Sequence, residues 1–532
     1  MRQIRLQSSY DLIIIGGGIQ GCATFWEAQS RGLNTLLVEE QDFCSQTSAN
    51  SLKTIHGGIR YLQTLNLART WRSSKEPETL LKIAPHLVHP LSCLLPTENN
   101  LQRSRLAVAI GFGLYNLIKK FSCRTQRLPR ARCLSKSQLV SMTGLLDLQT
   151  VTGAGLWFDA QAQHTERLGL AFVNAAQGAG GDAHNYLKAT SLARTENRKL
   201  SLVLNDQIDQ QTYQVRTRSV IYCTASSTAQ NISLLPGAGI ARGFEPRFCL
   251  AVNLVANKKY ADFAIGMQSG FAGNTQTDSR RLLFSAPWRN STMYGTWYFQ
   301  PGPNYDGNQT PSAEQISYCL NDVNQSYPEL NLSLEDIFQV HAGLLPLKDD
   351  QADPENNLLE HDLIQQPDKS LNVFTVIPTK FTTCRATAEM MIDLLHDKIN
   401  MPVSRSISAE TPLMGGNIGS DFNSFVLKCQ QKFQHLLPKI VIDQLCVSYG
   451  DQIEEIIRLC ELDETLRDLI PGSTNHIKAQ LDYELNHGNV FKPGDFTHRR
   501  SFLSSDRQIN KQTLTYCREK INRYHSTQGT SV

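Results

Sequence analysis

The chain has 532 residues, enough for two or three domains with sizeable cores. Its 41% apolar and 19% charged residues are those of a soluble globular protein, and a net charge of only +3 carries no general nucleic-acid footprint, so no nucleic-acid partner is expected. The 13 cysteines include no CxxC pair and none stands with histidines at zinc spacing, so they read as reduced core thiols in a cytosolic compartment, with no metal site.

Residues 1–9 are short and polar and lack an apolar signal segment. Asp11-Leu12-Ile13-Ile14-Ile15 then reads as a buried parallel strand. It runs into Gly16-Gly17-Gly18-Ile19-Gln20-Gly21, and a second apolar run, Thr35-Leu36-Leu37-Val38, ends at Glu39. Strand, glycine turn, helix, strand and acid in this order form a dinucleotide fingerprint. Gly16 permits the tight turn, Gly18 lets the backbone approach a pyrophosphate, and Gly21 lets the helix pack close to the sheet. The helix N-terminus offers N–H groups to the phosphates, and Glu39 offers a carboxylate to the adenosine ribose.

A polar loop over 41–51 leads to Leu52-Lys53-Thr54-Ile55-His56-Gly57-Gly58-Ile59-Arg60-Tyr61-Leu62. Residues 63–85 look helical, Pro85, Pro90 and Pro96 interrupt the stretch up to about residue 100, and 101–140 reads as helical and basic. The apolar run 106–118 is too short to span a bilayer and is followed by Lys119, Lys120, Arg124, Arg127, Arg130 and Arg132. It reads either as a helix lying on an anionic membrane surface or as a core helix followed by a solvated basic loop.

A strand ends over 155–161, a helix follows at 164–177, and 185–193, 201–205 and 212–224 read as strands. The stretches 247–256 and 281–299 are strand-rich and aromatic, suiting a mixed sheet that walls a substrate pocket. A strand over 371–377 feeds Pro378-Thr379-Lys380-Phe381-Thr382-Thr383 and a helix at 384–397, a second helix N-terminus aimed at something polar. From about residue 420 amphipathic periodicity dominates and predicts a helical subdomain.

The run from Thr47-Ser48-Ala49-Asn50-Ser51 through His56-Gly57-Gly58 to Arg60-Tyr61-Leu62 resembles the FAD-dependent glycerol-3-phosphate dehydrogenases, within the D-amino-acid-oxidase-like flavoproteins. Asp159-Ala160-Gln161, Ala286-Pro287-Trp288, Lys380-Phe381-Thr382-Thr383 with Arg385, and Asp495-Phe496 with Arg499-Arg500 support the resemblance. It implies an α/β fold: an FAD-binding Rossmann-like domain, an inserted mixed-sheet substrate domain and an α-helical C-terminal cap. The oxidoreductase region would be 1–400, with FAD-binding parts about 1–85, 150–240 and 340–400 and substrate parts about 86–149 and 241–339; the cap would be 405–525.

The resemblance also implies a reaction. The C2 hydride of sn-glycerol 3-phosphate passes to flavin N5, dihydroxyacetone phosphate forms, and the electrons pass to a quinone. The implied location is cytoplasmic, with peripheral contact at the inner face of the cell membrane as one variant and a homodimer as one assembly. Nothing marks a covalent flavin anchor, so FAD is expected to bind non-covalently. Its expected contacts are Gly16, Gly18, Gly21, Glu39, Thr47, Ser48, Ser51, Lys53, His56, Gly57, Ala189, Lys380, Phe381 and Thr382. Arg60, Tyr61 and Lys380 match family positions that bind the substrate phosphate, the guanidinium of Arg60 as a planar fork and Lys380 as a point charge. The catalytic set is then His56, His341, Arg60 and Lys380, the two histidines as candidate bases.

The chain departs from the family pattern mainly at substrate positions. Pro378 and Thr379 replace two glycines, Leu345 stands for an arginine in Gly343-Leu344-Leu345-Pro346-Leu347, and Glu245 stands for a histidine. The sequence leaves three readings open: a glycerol-3-phosphate dehydrogenase that tolerates these changes, a same-fold dehydrogenase or oxidase for another anionic hydroxy or amino substrate, and a flavoprotein without turnover.

Overall fold

The computed structural model describes residues 2, 4–59, 67–99, 104–123, 126–143, 151–195, 199–225, 247–270, 282–302, 310–327, 329–349, 354, 357–367, 370–399, 402–419, 421–506 and 509–528. Two sheets organise it. The first has eight strands, and its main path runs Leu363–Gln365, Val373–Ile377, Thr212–Tyr222, Ser9–Ile15, Thr35–Val38 and Asp182–His184. The pairs around Ser9–Ile15 are parallel, with Leu12 opposite Ser219 and Thr35. Its apolar run is continuous because both faces are covered. Leu12 and Ile14 pack with Phe25, Phe172 and Met391, from the helices Ile19–Ser30, Thr165–Gly178 and Cys384–Ile399. Ile13 and Ile15 face a second core built with Leu202, Leu204 and Val215 of the antiparallel strands Leu187–Arg194, Leu200–Asp206 and Thr212–Tyr222.

The second sheet has nine strands and runs Ile337–Leu347, Arg247–Ala256, Ser291–Phe299, Leu282–Trp288, Ala264–Gln268, Val88–Glu98, Val151–Ala162 and Thr54–Ile55, with Arg132–Ser135 beside Val151–Ala162. Val151–Ala162 and Thr54–Ile55, expected with the FAD-binding parts, lie in this sheet. Thr54 pairs with Gln161 and Ile55 with Ala160, which fastens the motif of the first module to the second. Two local expectations are corrected. Pro90 and Pro96 do not end order but lie within Val88–Glu98, away from Cys93 and Leu94, where that strand meets its parallel neighbour. A missing N–H is tolerated where no ladder bond is needed. The stretch 101–140 is not one helix: Arg105–Ser122 and Lys136–Thr143 are separated by the strand Arg132–Ser135, drawn into pairing with residues 153–156.

The C-terminal helices Phe422–Phe433, Lys439–Tyr449, Ile453–Leu462 and Lys478–His487 close around Phe433, Leu445 and Ile456. This module is bound to the first by buried charge. A π-helical turn, Asp495–Arg500, sets Arg499 and Arg500 on the carboxylate of Asp42, while Arg167 pairs with Glu484 at 2.8 Å. Burial pushes the Asp42 carboxyl up, but Arg500 and Arg499 outweigh it and hold it below the ordinary range. The cysteines are free thiols, and all but Cys123 and Cys133 are buried.

Candidate functional site

The strand Ser9–Ile15 leaves the sheet at Gly16, whose φ of +104° is costly for any residue with a Cβ. At Gly21 a Cβ would lie 1.8 Å from the Gly16 carbonyl oxygen, so glycine there sets how close the helix Ile19–Ser30 comes to the turn. Ser48 closes this turn from the facing loop, its hydroxyl accepting the Ile19 N–H at 2.9 Å. The Glu39 carboxylate accepts the N–H groups of Gly17 at 2.6 Å and Gln41 at 2.8 Å. Desolvation, partly offset by those two bonds, pushes it up to about 7.

These groups line an open cleft walled by Gly16, Gly18, Glu39, Thr47, Ser48 and Ala189, with Thr224 and Ala225 also in its lining. The cleft fits a dinucleotide. A glycine turn and helix N-terminus meet phosphate chemistry, Glu39 meets ribose hydroxyls, and a Cβ at Gly18 would point into the space, 3.3 Å from the Ser48 hydroxyl.

A second group of residues converges at the far end of the motif loop. His56 donates its backbone N–H to Thr382 Oγ1 at 3.2 Å, and Gly57 donates its own to Asp159 Oδ1 at 2.8 Å. The His56 ring is 43% exposed, with Nδ1 3.4 Å from Asp159 Oδ2. Phe284 stands edge-on to it, ring centroids 6.1 Å apart, and Trp157 stands edge-on to Phe284. Four chain regions therefore meet here: the motif loop, the strands Val151–Ala162 and Leu282–Trp288, and the turn before Cys384–Ile399. Lys380 and Phe381 are half-buried in that turn.

Pro378 and Thr379, which break the family's glycine pair, have a local remedy. Asp362 accepts the Thr379 N–H and hydroxyl, each at 2.7 Å, the Thr383 hydroxyl at 2.8 Å, and the Thr387 hydroxyl. The carboxylate thus ties down the first turn of the helix in place of backbone flexibility.

Other expected residues lie elsewhere. Lys53 is buried beneath the motif loop, at φ +60°, and its ammonium bonds the Ala49 carbonyl at 2.6 Å, Thr165 Oγ1 at 2.7 Å and Glu166 at 3.2 Å. Its charge anchors the loop and is not presented to the cleft. His341 is enclosed beneath the same loop, with Nδ1 3.2 Å from the Ser51 carbonyl and the ring edge-on to Trp288. Burial, then the nearby Lys53 charge, push it down to about 4. At His341, expected as a candidate base, the structure places a packed side chain between the Ser51 carbonyl and Trp288. The Ser51 hydroxyl accepts the Lys53 N–H at 3.3 Å, which is turn chemistry, and the Thr47 hydroxyl accepts the Leu344 N–H at 3.1 Å. Leu345 lies half-buried opposite Cys249. Arg60, Tyr61 and Glu245 lie outside the described residues.

Asp159 and Asp362 were not foreseen as site residues. Asp159 stands in the Asp159-Ala160-Gln161 triplet, which was a usable signal; nothing in the sequence marked Asp362.

Residues 11–394 match the model of the FAD dependent oxidoreductase family (DAO), and residues 406–519 match the C-terminal domain of alpha-glycerophosphate oxidase. The chain belongs to the FAD dependent oxidoreductase family: it is an oxidoreductase, and FAD is its cofactor. It is 26% identical over 546 residues to a glycerol-3-phosphate dehydrogenase of Synechocystis sp., covering 97% of this chain and 96% of that one. It is 27% identical to the aerobic glycerol-3-phosphate dehydrogenase of Bacillus subtilis, covering 93% and 87%. Its fold is similar to that of the glycerol-3-phosphate dehydrogenase from Bacillus halodurans complexed with FAD, with a TM-score of 0.75, 22% identity and coverage of 98% and 94%. The L-proline dehydrogenase from P. horikoshii shares the fold over 74% of this chain, with a TM-score of 0.56 and 16% identity.

Proposed function

We propose that the protein oxidises sn-glycerol 3-phosphate to dihydroxyacetone phosphate. The observation that carries this reading is the joint match of both modules: the oxidoreductase region over 11–394 and a glycerophosphate-oxidase C-terminal domain over 406–519. FAD, when bound, supplies the acceptor for the hydride on the substrate's C2. The chain supplies the rest. Gly16, Gly18, Gly21, Ser48 and Glu39 hold the adenosine and pyrophosphate half, with Thr47 and Ala189 along the cleft. His56, half-exposed beside Thr382 and Asp159, takes the hydroxyl proton. Lys380, with Arg60 and Tyr61, holds the phosphate as an anion.

Leu345 favours a second reading, a different anionic hydroxy or amino substrate, because a leucine supplies no charge where the family pattern has an arginine. Anaerobic addition of glycerol 3-phosphate to the purified yellow protein separates the two. Bleaching of the flavin band is expected; a band that stays while another hydroxy or amino acid bleaches it rejects glycerol 3-phosphate.

The electron acceptor in this reading is a membrane quinone, reached by docking on the inner face of the cell membrane. Support comes from the helix Arg105–Ser122. It exposes Leu106 (72%), Ile110 (66%), Leu117 and Phe121 (67%) along one side, next to exposed Arg105 and Lys120. Among the described residues no helix is long and apolar enough to cross a membrane. An apolar stripe edged by cations suits the surface of an anionic bilayer.

A further inference from the structure

Asp159 is 2% exposed, and each of its oxygens has a defined task. Oδ1 accepts the Gly57 N–H at 2.8 Å, while Oδ2 accepts the Trp157 indole N–H at 3.2 Å and faces His56 Nδ1 at 3.4 Å. Among the described residues, His56 is the one basic side chain within ion-pair distance of it. Both oxygens already act as acceptors, so the histidine nitrogen facing Oδ2 has to bring the proton. A neutral imidazole carries one N–H and one lone pair, so Nδ1–H toward Asp159 leaves the lone pair on Nε2.

The backbone holds this pairing in place. His56 and Gly57 are clamped by consecutive N–H bonds to Thr382 and Asp159, from two different parts of the chain. Asp159 itself sits within the strand Val151–Ala162, opposite Leu91, with a neighbouring strand on each side. The carboxylate therefore cannot follow the ring, and the ring has to orient to the carboxylate.

We propose that Asp159 is a positioning residue that holds His56 in its Nδ1–H tautomer and so presents Nε2 to the substrate hydroxyl. The proposal rests on the reading of His56 as the proton acceptor. In that step the substrate O–H bond breaks and an N–H bond forms at Nε2. Asp159 takes no proton and touches no substrate; it stabilises the imidazolium that results.

The test uses the FAD-loaded enzyme labelled with ¹⁵N-histidine, with the His56 signals identified by their loss in His56→Gln. Wild-type neutral His56 is expected to show a protonated-type Nδ1 and a bare Nε2. In Asp159→Asn the oxygen for Gly57 remains, but an amide N–H₂ faces Nδ1, so the tautomer inverts. The kcat for glycerol 3-phosphate oxidation then falls about 100-fold or more, KM changes little and the flavin spectrum is kept. Asp159→Glu restores part of the kcat. A wild-type Nε2–H tautomer overturns the proposal even if Asp159→Asn does not fold. An unchanged tautomer and kcat in folded Asp159→Asn overturn it as well, leaving Asp159 only the anchoring of Gly57 and Trp157. Full activity in His56→Gln removes the reading of His56 as base; an inactive His56→Gln together with a wild-type Nε2–H tautomer removes the role of Asp159 alone.

Discussion

Glu39 shows how one side chain couples cofactor binding to pH. Its carboxyl stands at about 7 in the open cleft because desolvation disfavours its charge. Ribose hydroxyls donate to the ionised form, so FAD binding shifts Glu39 toward ionisation. By linkage, FAD affinity is highest above pH 7 and weakens as the pH falls below it, by at most about tenfold per pH unit for one proton. Titrating deflavinated protein with FAD across neutral pH reads this directly, and Glu39→Gln should bind more weakly with a flatter profile. At the other end of the loop, His56→Gln should keep the flavin spectrum and lose about 10²- to 10⁴-fold in kcat, measured by stopped-flow flavin bleaching. At this scale the glycines were legible because their spacing is itself a short motif between a strand and a helix. The tasks of Asp159 and Asp362 were not, because their partners His56 and Thr379 to Thr387 lie 103 and 17 to 25 residues away. Lys53 misled for the same reason: nearness to a cofactor motif in sequence does not say which side of the loop a side chain occupies.

The helix Arg105–Ser122 joins two tasks in one element. Its inner side buries Phe112 and Tyr115, with Phe112 edge-on to Trp157, whose indole bonds Asp159. Its outer side carries Leu106, Ile110, Leu117 and Phe121 at intervals of four, seven and four residues, and each is more than half exposed. Three- and four-residue steps add up to one helical face, so the exposure is a property of the whole helix. The double variant Leu117→Glu with Phe121→Glu should therefore fold, reduce its flavin with substrate as wild type does, and lose co-sedimentation with anionic vesicles. Retained co-sedimentation would reject this face as the docking surface. The sequence showed an apolar run beside cations and left a core helix as an equal reading, because periodicity does not say which of two apolar faces finds a partner.

Catalytic module and cap meet across buried charge. Arg500 is fully buried on Asp42, with Nη2 2.8 Å from Oδ1, and Arg499 shares the same carboxylate. Arg500→Met would leave Asp42 buried with one partner fewer, at a cost of about 3–5 kcal/mol. The expected readout is a lower thermal midpoint, with cap and flavin signals no longer melting together. The depressed Asp42 carboxyl sets the sign with pH: its contribution is full at neutral pH and above the ordinary carboxylate range, and fades as the pH falls through its folded value.

By itself the sequence determined the strand–turn–helix frame of the cofactor site, the mixed second sheet, the helical C-terminal module and the family resemblance. Each of these rests on periodicity or on motifs of short span. Only the tertiary structure decided which residues of that motif face the cleft and which anchor it from beneath. It alone joined His56 to Asp159, Thr379 to Asp362 and Asp42 to Arg500, and showed that one face of Arg105–Ser122 stays uncovered. Such pairings depend on sheet register and module docking, long-range contacts that local patterning does not encode.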